Sequence, residues 1–402
     1  MPWPFLRFSA QEDTESVSVN ILVMAPQPFY IERGTPIAVS LLLRALCEAG
    51  HKVDLLTYPE GKDVEIDGLR IFRLHKVPFI KHVPIGFSWQ KLLYDFLMVF
   101  KMVGLVRNNR YQVIHAVEES VFITLMMLPF VPARLVYDMD SSMADQLVEK
   151  WRALHMLAPV LDWFEYQAIK RSDLVLPVCK ALAEKARRHC PDRKMYLLED
   201  VALESDEQPD DSEDIRIELG IEGLIAVYVG NLEHYQGIDL LLQAMEKLLA
   251  EPKLHLVIIG GSQDDVRDYR IKAEQMSISG NVHLLGPRPV GQLMYYLKQA
   301  DILVSPRTKG KNTPMKIYSY MASGKPVLAT DISSHTQVLD SDCACLVKAD
   351  GESIASGLKD LLDNEEMRDR LGKAAAARAA TNHTYEAFRN KLLDAYRYLD
   401  SL

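Results

Sequence analysis

Short runs of aliphatic and β-branched residues alternate with longer amphipathic segments along almost the whole sequence. Runs such as 19–25 and 225–230 are apolar nearly throughout, which is typical of strands buried on both faces of a parallel sheet. The segments 36–49 and 238–249 carry apolar residues at helical spacing. Because the alternation occurs twice, the sequence predicts two doubly wound α/β units. The other predicted strands are 53–57, 69–74, 112–116, 134–138, 174–178, 195–198, 255–260, 282–285, 302–305, 326–329 and 345–347, and the other predicted helices are 290–299 and 353–362.

An acidic segment separates the two halves. Seven of the eleven residues in 204–214 are Asp or Glu, and such a segment cannot bury itself. We therefore interpret 204–214 as a solvated linker between an N-terminal unit, 19–203, and a C-terminal unit, 215–384, with 1–18 as an N-terminal tail. The last segment, 385–402, carries an apolar stripe at a spacing of three to four residues, which must be buried against another surface.

Composition excludes several classes of protein. The 402 residues carry a net charge of −9, which argues against a nucleic-acid partner bound through bulk charge. The five cysteines form no CxxC pair, which favours a reduced, cytoplasmic setting. The N-terminus lacks the pattern of a secretory signal. The longest apolar run, 92–106, is shorter than the roughly 20 residues of a membrane-spanning helix, so we expect no spanning segment.

One region of the N-terminal half is strongly basic. Residues 70–110 contain eight Lys or Arg side chains, one acid and many aromatic residues. This mixture favours weak contact with an anionic membrane surface. The alternative is a core helix at 92–106 flanked by solvated charge.

Ligands of doubly wound sheets bind beyond the carboxyl ends of the strands, so polar residues at those ends are the candidates for a site. The first strand leads to Gly34 without a GxGxxG motif, which argues against a dinucleotide cofactor. Thr35 is expected to cap the next helix, with Pro36 in its first turn, so that free N–H groups face the cleft. A well-made helix start with no binding role is the alternative.

The strand predicted at 112–116 ends in a histidine followed by carboxylates. His115 and Glu118 could orient hydroxyl groups or move a proton. Alternatively, His115 is a hydrogen-bonded core residue, and Glu118 opens a helix where acids suit the helix dipole. Asp138 and Asp140 could hold a metal ion, but Asp140 or Ser141 is at least as well suited to cap the next helix. We expect no metal.

In the second half of the sequence, two predicted strands are followed by glycine turns and a third is followed by a basic loop. Gly230, Gly260 and Gly261 permit close approach of the backbone to a ligand. The loop after strand 302–305 brings cations to the start of a helix predicted at 314–323, with Thr313 as its cap. Cations at a helix N-terminus favour a phosphate-type ligand, and the alternative is a solvated basic surface. The cations are Arg307, Lys309, Lys311 and Lys316.

Six short motifs together resemble the family 4 (group 1) retaining glycosyltransferases of the GT-B fold, from about residue 20 to 398. They are Gly50-His51-Lys52-Val53, Val113-Ile114-His115-Ala116, Tyr228-Val229-Gly230-Asn231, Val257-Ile258-Ile259-Gly260-Gly261, Ala300-Asp301-Ile302-Leu303-Val304-Ser305-Pro306 and Met321-Ala322-Ser323-Gly324-Lys325-Pro326-Val327. The resemblance implies two Rossmann-like domains facing each other across a cleft, with residues 385–402 crossing back onto the first. It also implies sugar transfer, with retention and without a metal, from a nucleoside-diphosphate sugar to a hydroxyl of a glycan, lipid-linked or small-molecule acceptor.

The chain departs from the family pattern at several polar positions. Asn231 and Gln236 stand where an Arg and a Lys usually hold the donor diphosphate, and Lys311 and Ser319 stand where two Glu residues usually contact the donor. Val117 replaces a common His. Positive charge is therefore expected to come from the basic loop, with Arg307 as the best placed cation. The predicted donor-binding residues are Gly34, Gly230, Asn231, Gln236, Gly260, Gly261, Arg288, Arg307, Lys311, Asn312, Thr313, Pro314, Met315, Lys316 and Ser319, and the predicted catalytic residues are His115 and Glu118.

These departures leave two other functions open. A non-catalytic sugar- or nucleotide-binding partner protein would tolerate the loss of the usual contacts at Lys311, Ser319 and Val117. A nucleotide-sugar epimerase on the same fold would convert the free nucleotide sugar without an acceptor. The predicted location is cytoplasmic, with peripheral contact to the cytoplasmic face of a membrane through 70–110.

Overall fold

The computed structural model describes residues 18–32, 34–80, 83–84, 88–150, 156–203, 214–251 and 253–401, with backbone alone at 146, 148–150 and 400. These residues form two six-stranded parallel sheets covered by helices on both faces. Most of the tail (1–17 of 1–18) and most of the acidic linker (204–213 of 204–214) lie outside the described residues, so the interpretation of these two segments stays a prediction, as does the division into domains.

The N-terminal sheet has the order β3-β2-β1-β4-β5-β6. Its strands are β1 (Asn20–Ala25), β2 (Lys52–Thr57), β3 (Leu69–Arg73), β4 (Val113–Val117), β5 (Arg134–Met139) and β6 (Leu174–Pro177). Its helices are α1 (Gly34–Glu48), α2 (Trp89–Asn108), α3 (Ser120–Met127), a 3₁₀ turn (Leu128–Phe130), α4 (Met143–Lys150), α5 (Ala158–Arg171) and α6 (Lys180–His189). Helix α1 packs on one face of the sheet, and α2, α3, α5 and α6 pack on the other.

The C-terminal sheet has the order β12-β11-β10-β7-β8-β9. Its strands are β7 (Leu224–Val229), β8 (Leu254–Ile259), β9 (Val282–Gly286), β10 (Ile302–Ser305), β11 (Val327–Thr330) and β12 (Cys345–Val347). Its helices are α7 (Ile215–Leu219), α8 (Ile238–Lys247), α9 (Gln263–Gln275), α10 (Leu293–Gln299), α11 (Met315–Ala322), α12 (Ser333–Thr336), α13 (Gly351–Asp363) and α14 (Glu365–Asn382). Helices α8, α9 and α13 cover one face, and α10, α11 and α14 cover the other.

The final helix, α15 (Tyr385–Asp400), returns to the N-terminal unit. Four residues of the predicted apolar stripe, Phe388, Leu392, Tyr396 and Leu399, are buried in the same cluster as strand β1 and helix α1, and Ala395 joins them. The fifth predicted residue, Leu393, is only half buried. The prediction that this stripe packs on the N-terminal unit is confirmed.

Two predicted elements need correction. The strand expected at 195–198 is reduced to one isolated bridge, between Val175 and Met195, so it does not extend the sheet. The helix expected at 290–299 begins as a 3₁₀ turn, Val290–Gln292, and becomes α-helical only at Leu293. The apolar run 92–106 lies within α2. No helix in the described residues is both long and apolar enough to cross a bilayer.

Candidate active site between the two sheets

The carboxyl ends of the two sheets face each other, and several hydrogen bonds join the units across this cleft. The side-chain amide of Asn312 donates to the carbonyl oxygen of Asp140, directly after β5. The backbone N–H of Leu203 donates to Oγ of Ser319 over 3.2 Å. Another backbone N–H, that of Ala181, donates to Oε1 of Gln337 over 2.8 Å. The loop before α11 and the helix itself therefore lie against the N-terminal unit.

Glycine turns shape the C-terminal wall of the cleft. Gly230 and Gly260 have φ of 145° and 118°, which side chains rarely adopt. A Cβ placed on Gly260 would lie 2.1 Å from the carbonyl oxygen of Gly230. Gly261, with φ of 78°, would place a Cβ 2.7 Å from the side chain of Leu232. The close approach of the turns after β7 and β8 therefore requires glycine at positions 260 and 261.

The ammonium group of Lys316 lies beside the turn after β7. Its Nζ is 3.8 Å from the ring centroid of Tyr228 and 3.4 Å from Oε1 of Gln236. A Cβ on Gly230 would be 3.2 Å from the same nitrogen. Burial, and secondly the charge of Arg307, hold the pKa of Lys316 well below its usual range. Within the described part of the chain, no carboxylate pairs with Lys316.

Asn231 and Gln236 bind each other at this position. The Nε2 of Gln236 donates to Oδ1 of Asn231 over 3.2 Å, and the amide oxygen of Gln236 faces Lys316. These two amides bring no charge, so the cationic group beside the turn comes from α11. The ring of Tyr228 beneath Lys316 was not among the predicted site residues, because a tyrosine inside an apolar strand gives no sequence signal of this contact.

Arg307 is held inside its own loop. Its Nε donates to the carbonyl oxygen of Lys309 over 2.6 Å, and Nη1 donates to that of Asn312 over 3.2 Å. The guanidinium lies 5.2 Å from the ring centroid of Tyr235. A Cβ on Gly310 would be 2.3 Å from Nη2, so this glycine makes room for the guanidinium. Arg307 shapes the loop, and Lys309 is exposed.

Three other predicted donor-binding residues are engaged elsewhere. Lys311 forms an ion pair with Asp145, with 2.7 Å between Nζ and Oδ2. The hydroxyl of Ser319 accepts the cross-cleft bond from Leu203. Arg288 pairs with Glu218 of α7 over 3.4 Å. The described contacts do not bring these three side chains together with Lys316.

The helix starts differ from the predictions by one residue or more. Helix α11 begins at Met315 with Pro314 as its N-cap residue, so Thr313 lies outside the helix and is not its cap. Helix α1 already includes Gly34, which places Thr35 in the first turn instead of at the cap. Ser142, not Asp140 or Ser141, accepts a hydrogen bond from the backbone N–H of Asp145 in the first turn of α4. In each case, the chain enters the helix at a different residue from the one that the capping pattern indicates.

His115 is fully buried beneath the N-terminal wall of the cleft. Its Nδ1 is 2.8 Å from the hydroxyl of Tyr396, and its Nε2 is 3.2 Å from Oδ2 of Asp138. Because both ring nitrogens are occupied, this geometry corresponds to the hydrogen-bonded core histidine of the two interpretations. A catalytic role of His115 stays a prediction. His115 would have to act on the cleft through its hydrogen bond with Asp138.

Glu118 stands in an unusual backbone conformation at the end of β4. Its φ of 49° lies in the left-handed region, which costs free energy for a residue with a side chain. Its backbone N–H donates to the carbonyl oxygen of Asp138 over 2.9 Å, and its Oε1 accepts from Ser141 Oγ over 3.1 Å. Strain of this kind concentrates at functional sites, which agrees with the predicted role of Glu118.

Further carboxyl groups lie near Glu118 and the end of β5. Burial raises the pKa of Asp200 to about 7, with a further contribution from Asp138. Burial raises that of Asp140 well above its usual range, assisted by Asp138 and Glu118. Burial also raises the pKa of Glu119 to about 7, although its ion pair with Lys91 opposes the shift. Asp200 was not among the predicted site residues, although it follows the run 195–198 that was predicted as a strand, so the search at strand ends could have found it.

One group of potential metal ligands occurs in the described residues, and the ammonium group of a lysine pairs with its carboxylates. Asp162, Glu165 and His189 lie close enough together to hold a cation. The ammonium of Lys185 is 3.2 Å from Oδ1 of Asp162 and 3.0 Å from Oε1 of Glu165. The carboxylates are therefore balanced by the protein's own cation. Asp138 is hydrogen-bonded to His115, which engages one carboxylate of the Asp138-Met139-Asp140 pattern.

Two doubly wound units that face each other across a glycine-lined cleft define the GT-B architecture of glycosyltransferases. The family comparisons agree in both halves: residues 33–197 match the model of a glycosyl transferase 4-like domain, and residues 211–378 match that of glycosyl transferases group 1. The chain belongs to the group 1 glycosyltransferases.

Individual relatives are distant. The D-inositol 3-phosphate glycosyltransferase of Corynebacterium glutamicum is 30% identical over 194 residues, which is 45% of this chain. The chain spans about half of that relative's length, 46%. An uncharacterized glycosyltransferase of Methanocaldococcus jannaschii is 22% identical over 92% of this chain and 95% of its own.

Solved structures share the fold. Sucrose-phosphate synthase from Thermosynechococcus elongatus has a TM-score of 0.79 at 20% identity, covering 95% of this chain and 99% of its own. HepE from Anabaena, solved in complex with UDP, has a TM-score of 0.71 at 15% identity, covering 95% of this chain and 100% of its own. At these identities the likeness establishes the architecture alone, and it confirms the predicted GT-B fold.

Proposed function

We propose that this protein transfers a sugar from a nucleoside-diphosphate sugar to an acceptor hydroxyl, with retention at the anomeric carbon. The observation that carries the proposal is the half-buried ammonium group of Lys316, which lies beside the glycine turn after β7 and pairs with no carboxylate of the described residues. The names of the relatives support sugar transfer. The HepE structures in complex with UDP and with UDP-glucose support a nucleotide sugar as the donor.

A partly desolvated cation without a counter-charge is unfavourable, and an anionic ligand would supply that counter-charge. A diphosphate beside Gly230 would supply the opposite charge and favour the charged form of Lys316. The two glycine turns leave room for the backbone to approach such a ligand. Lys316 on α11 would then replace the neutral pair Asn231 and Gln236, with the charge of Arg307 nearby. This assignment differs from the expectation that Arg307 is the best placed cation.

The chemistry follows from where negative charge develops. The bond between the anomeric carbon and the diphosphate oxygen breaks, and the acceptor oxygen bonds to the same face of that carbon while its proton passes to the departing diphosphate. The leaving diphosphate gains negative charge, which Lys316 would stabilise. Glu118, on the opposite wall, would orient the acceptor hydroxyl. We propose that protein cations, without a metal ion, neutralise the diphosphate, and that the nucleotide sugar is a co-substrate.

The acceptor and the location complete the proposal. Loops of the N-terminal unit would bind the acceptor, which could be a glycan, a lipid-linked sugar or a small molecule. We place the enzyme in the cytoplasm, with residues 70–110 contacting an anionic membrane surface.

Binding of UDP and GDP to matched variants tests the donor site. Lys316→Met keeps the length of the side chain and removes the charge, and we expect it to weaken nucleoside-diphosphate binding about 10–100-fold, or about 1.4–2.8 kcal/mol. Binding of uridine or guanosine should change little. Lys309→Met removes an exposed cation from the loop before α11 and serves as the control. Equal losses in both variants, or an equal loss for the nucleoside, would contradict the proposed cradle.

A second assay separates transfer from the two other functions. Nucleotide sugars are incubated with and without a panel of hydroxyl acceptors, and the released nucleoside diphosphate and sugar products are measured. Acceptor-dependent release supports the proposal. Conversion of the nucleotide sugar without an acceptor would identify an epimerase. Binding without conversion across the panel would identify a non-catalytic binding protein.

A further inference from the structure

The outward face of α2 is apolar over most of its length. Trp89, Leu92, Phe96 and Phe100 follow one another at helical spacing and are half exposed or more, with Phe100 at 61%. Phe79 stacks on Trp89 with 6.4 Å between the ring centroids, and Phe96 contacts Phe100 edge to face at 5.0 Å. Isolated surface hydrophobics are ordinary, but a whole aromatic helix face indicates an interaction surface.

This surface continues beyond residues 70–110. Helix α3 lies between α2 and α5, and it packs against both. The 3₁₀ turn after α3 exposes Phe130 to 78%, and Met156 before α5 is exposed to 90%. Along α5, Trp163 and Phe164 are exposed and contact each other edge to face. We call the outward faces of α2, the 3₁₀ turn and residues 156–171 the aromatic face.

The charges of the aromatic face have one sign. None of the exposed residues that the structure describes in α2, in residues 126–130 or in 156–171 is acidic. The half-exposed carboxylate of Asp162 is turned towards Lys185. Exposed cations lie at the carboxyl ends of the two long helices, at Arg107 on α2 and at Lys170 and Arg171 on α5. The surface is therefore apolar at the beginning of each helix and basic at its end.

The apolar ends of both helices lie beside the cleft. Lys91, in the first turn of α2, pairs with Glu119 at the carboxyl end of β4. In the first turns of α5, Asp162 pairs with Lys185, which also contacts Asp145 at the cleft edge. A partner that covers the aromatic face would therefore also lie next to the mouth of the cleft.

We propose that the aromatic face docks onto a bilayer that contains anionic lipid. Aromatic side chains settle at the level of the lipid headgroups, and adjacent cations are attracted to anionic headgroups. A face of this length, about 30 Å along α2, whose half-exposed carboxylate at Asp162 is paired with Lys185, fits a bilayer surface. Docking would place the cleft mouth at the headgroup layer, so the acceptor would be membrane-borne. The docking extends the membrane contact of residues 70–110 that is part of the proposed function, and the membrane-borne acceptor rests also on the proposed sugar transfer.

Sedimentation with vesicles tests docking without any nucleotide sugar. Vesicles of phosphatidylcholine alone are compared with vesicles that also contain phosphatidylglycerol, at low and high salt. We expect binding to the anionic vesicles, weakened by salt, with a blue shift of tryptophan fluorescence. The pairs Phe96→Ser/Phe100→Ser and Phe130→Ser/Trp163→Ser should each lower the affinity at least about tenfold. Ile217→Ser/Ile271→Ser removes two exposed apolar side chains from the C-terminal unit as the matched control and should bind like the wild type.

Each remaining outcome overturns the proposal. No binding to anionic vesicles excludes the bilayer as the partner. Loss of binding in the α2 pair alone would restrict docking to residues 70–110 and would contradict the role of the 3₁₀ turn and α5. A dimer in solution that both pairs abolish, without vesicle binding, would mean that a second copy covers the face. Because the assay contains no donor, its failure leaves the proposed sugar transfer intact, and the reverse also holds.

Discussion

The Nζ of Lys311 lies 2.7 Å from Oδ2 of Asp145, and this ion pair joins the two units across the edge of the cleft. Asp145 also accepts from Lys185 over 3.2 Å, and Lys185 contacts the buried Glu165. Although burial opposes it, the hydrogen bonds and charges of these two lysines hold the pKa of Asp145 below its usual range. Lys311, which stands where the family usually has a donor-binding glutamate, therefore belongs to a network of ion pairs that connects the two units.

Reversing the charge of Lys311 should open the cleft. In Lys311→Glu, the new carboxylate repels Asp145, so we expect a larger radius of gyration by small-angle X-ray scattering of the unliganded protein. The free energy of unfolding should change by about 1 kcal/mol or less, because Lys311 is half exposed and such pairs are screened. Lys309→Glu, two residues away, is the control. The same radius of gyration in both variants would show that the ion pair does not restrain the two units.

The backbone at Glu118 supplies a second prediction. Glu118→Gly and Glu118→Ala both remove the carboxylate, but only glycine adopts a φ of 49° without strain. We expect the glycine variant to be more stable than the alanine variant by about 1 kcal/mol, with sugar transfer lost in both. The measurement is chemical denaturation combined with the transfer assay.

Ser277 provides the matched control for Glu118, because its φ is 59° and it lies outside the cleft, after α9. Ser277→Gly should be more stable than Ser277→Ala by a similar amount and should keep full activity. Equal stability of the glycine and alanine variants at position 118 would refute strain at this site.

Most of the fold could be predicted from the sequence, because strands buried on both faces are apolar throughout. Among the predicted strands, only 195–198 does not form one. A short apolar run is compatible with a strand and also with a single bridge at the edge of a sheet, so the sequence does not distinguish them. The site was less predictable. The sequence indicated Lys316 as one of several cations, but its contacts with Tyr228 and Gln236 depend on side-chain directions that no spacing rule supplies. Asp200 is recognised only in the structure, where desolvation and the charge of Asp138 raise its pKa.

Asp200 predicts a pH dependence of stability. Burial raises its pKa in the folded protein to about 7, above the unfolded value of about 3.9. Between these values the folded state binds a proton that the unfolded state has lost, so stability falls as the pH rises from about 4 to 7. Asp200→Asn removes this contribution. Its Tm should therefore exceed that of the wild type by more at pH 8 than at pH 5, measured by differential scanning fluorimetry.

The exposed Asp342 gives the control for this pH series. Asp342→Asn should show the same difference in Tm from the wild type at both pH values. A difference for Asp200→Asn that is likewise independent of pH would mean that Asp200 does not take up a proton in this range.

Tyr396 links the last helix to the N-terminal wall of the cleft. Its hydroxyl is 2.8 Å from Nδ1 of His115, and its ring stacks on that imidazole with 6.1 Å between the centroids. Tyr396→Phe keeps the ring and leaves a buried nitrogen of His115 without its partner, which should cost about 1–3 kcal/mol of unfolding free energy. Transfer should also slow, because the imidazole no longer has a fixed orientation towards Asp138.

Tyr398→Phe, on the same helix, is the comparison that isolates this hydrogen bond. Tyr398 contacts Tyr196 and Lys194 through its ring, so removing its hydroxyl should change the unfolding free energy by less than about 0.5 kcal/mol. Denaturation curves of the two variants, fitted for the transition of the N-terminal unit, give the difference. If Tyr396→Phe and Tyr398→Phe proved equally stable, the hydroxyl of Tyr396 would contribute nothing to anchoring α15, and burial of the apolar stripe alone would hold the helix in place.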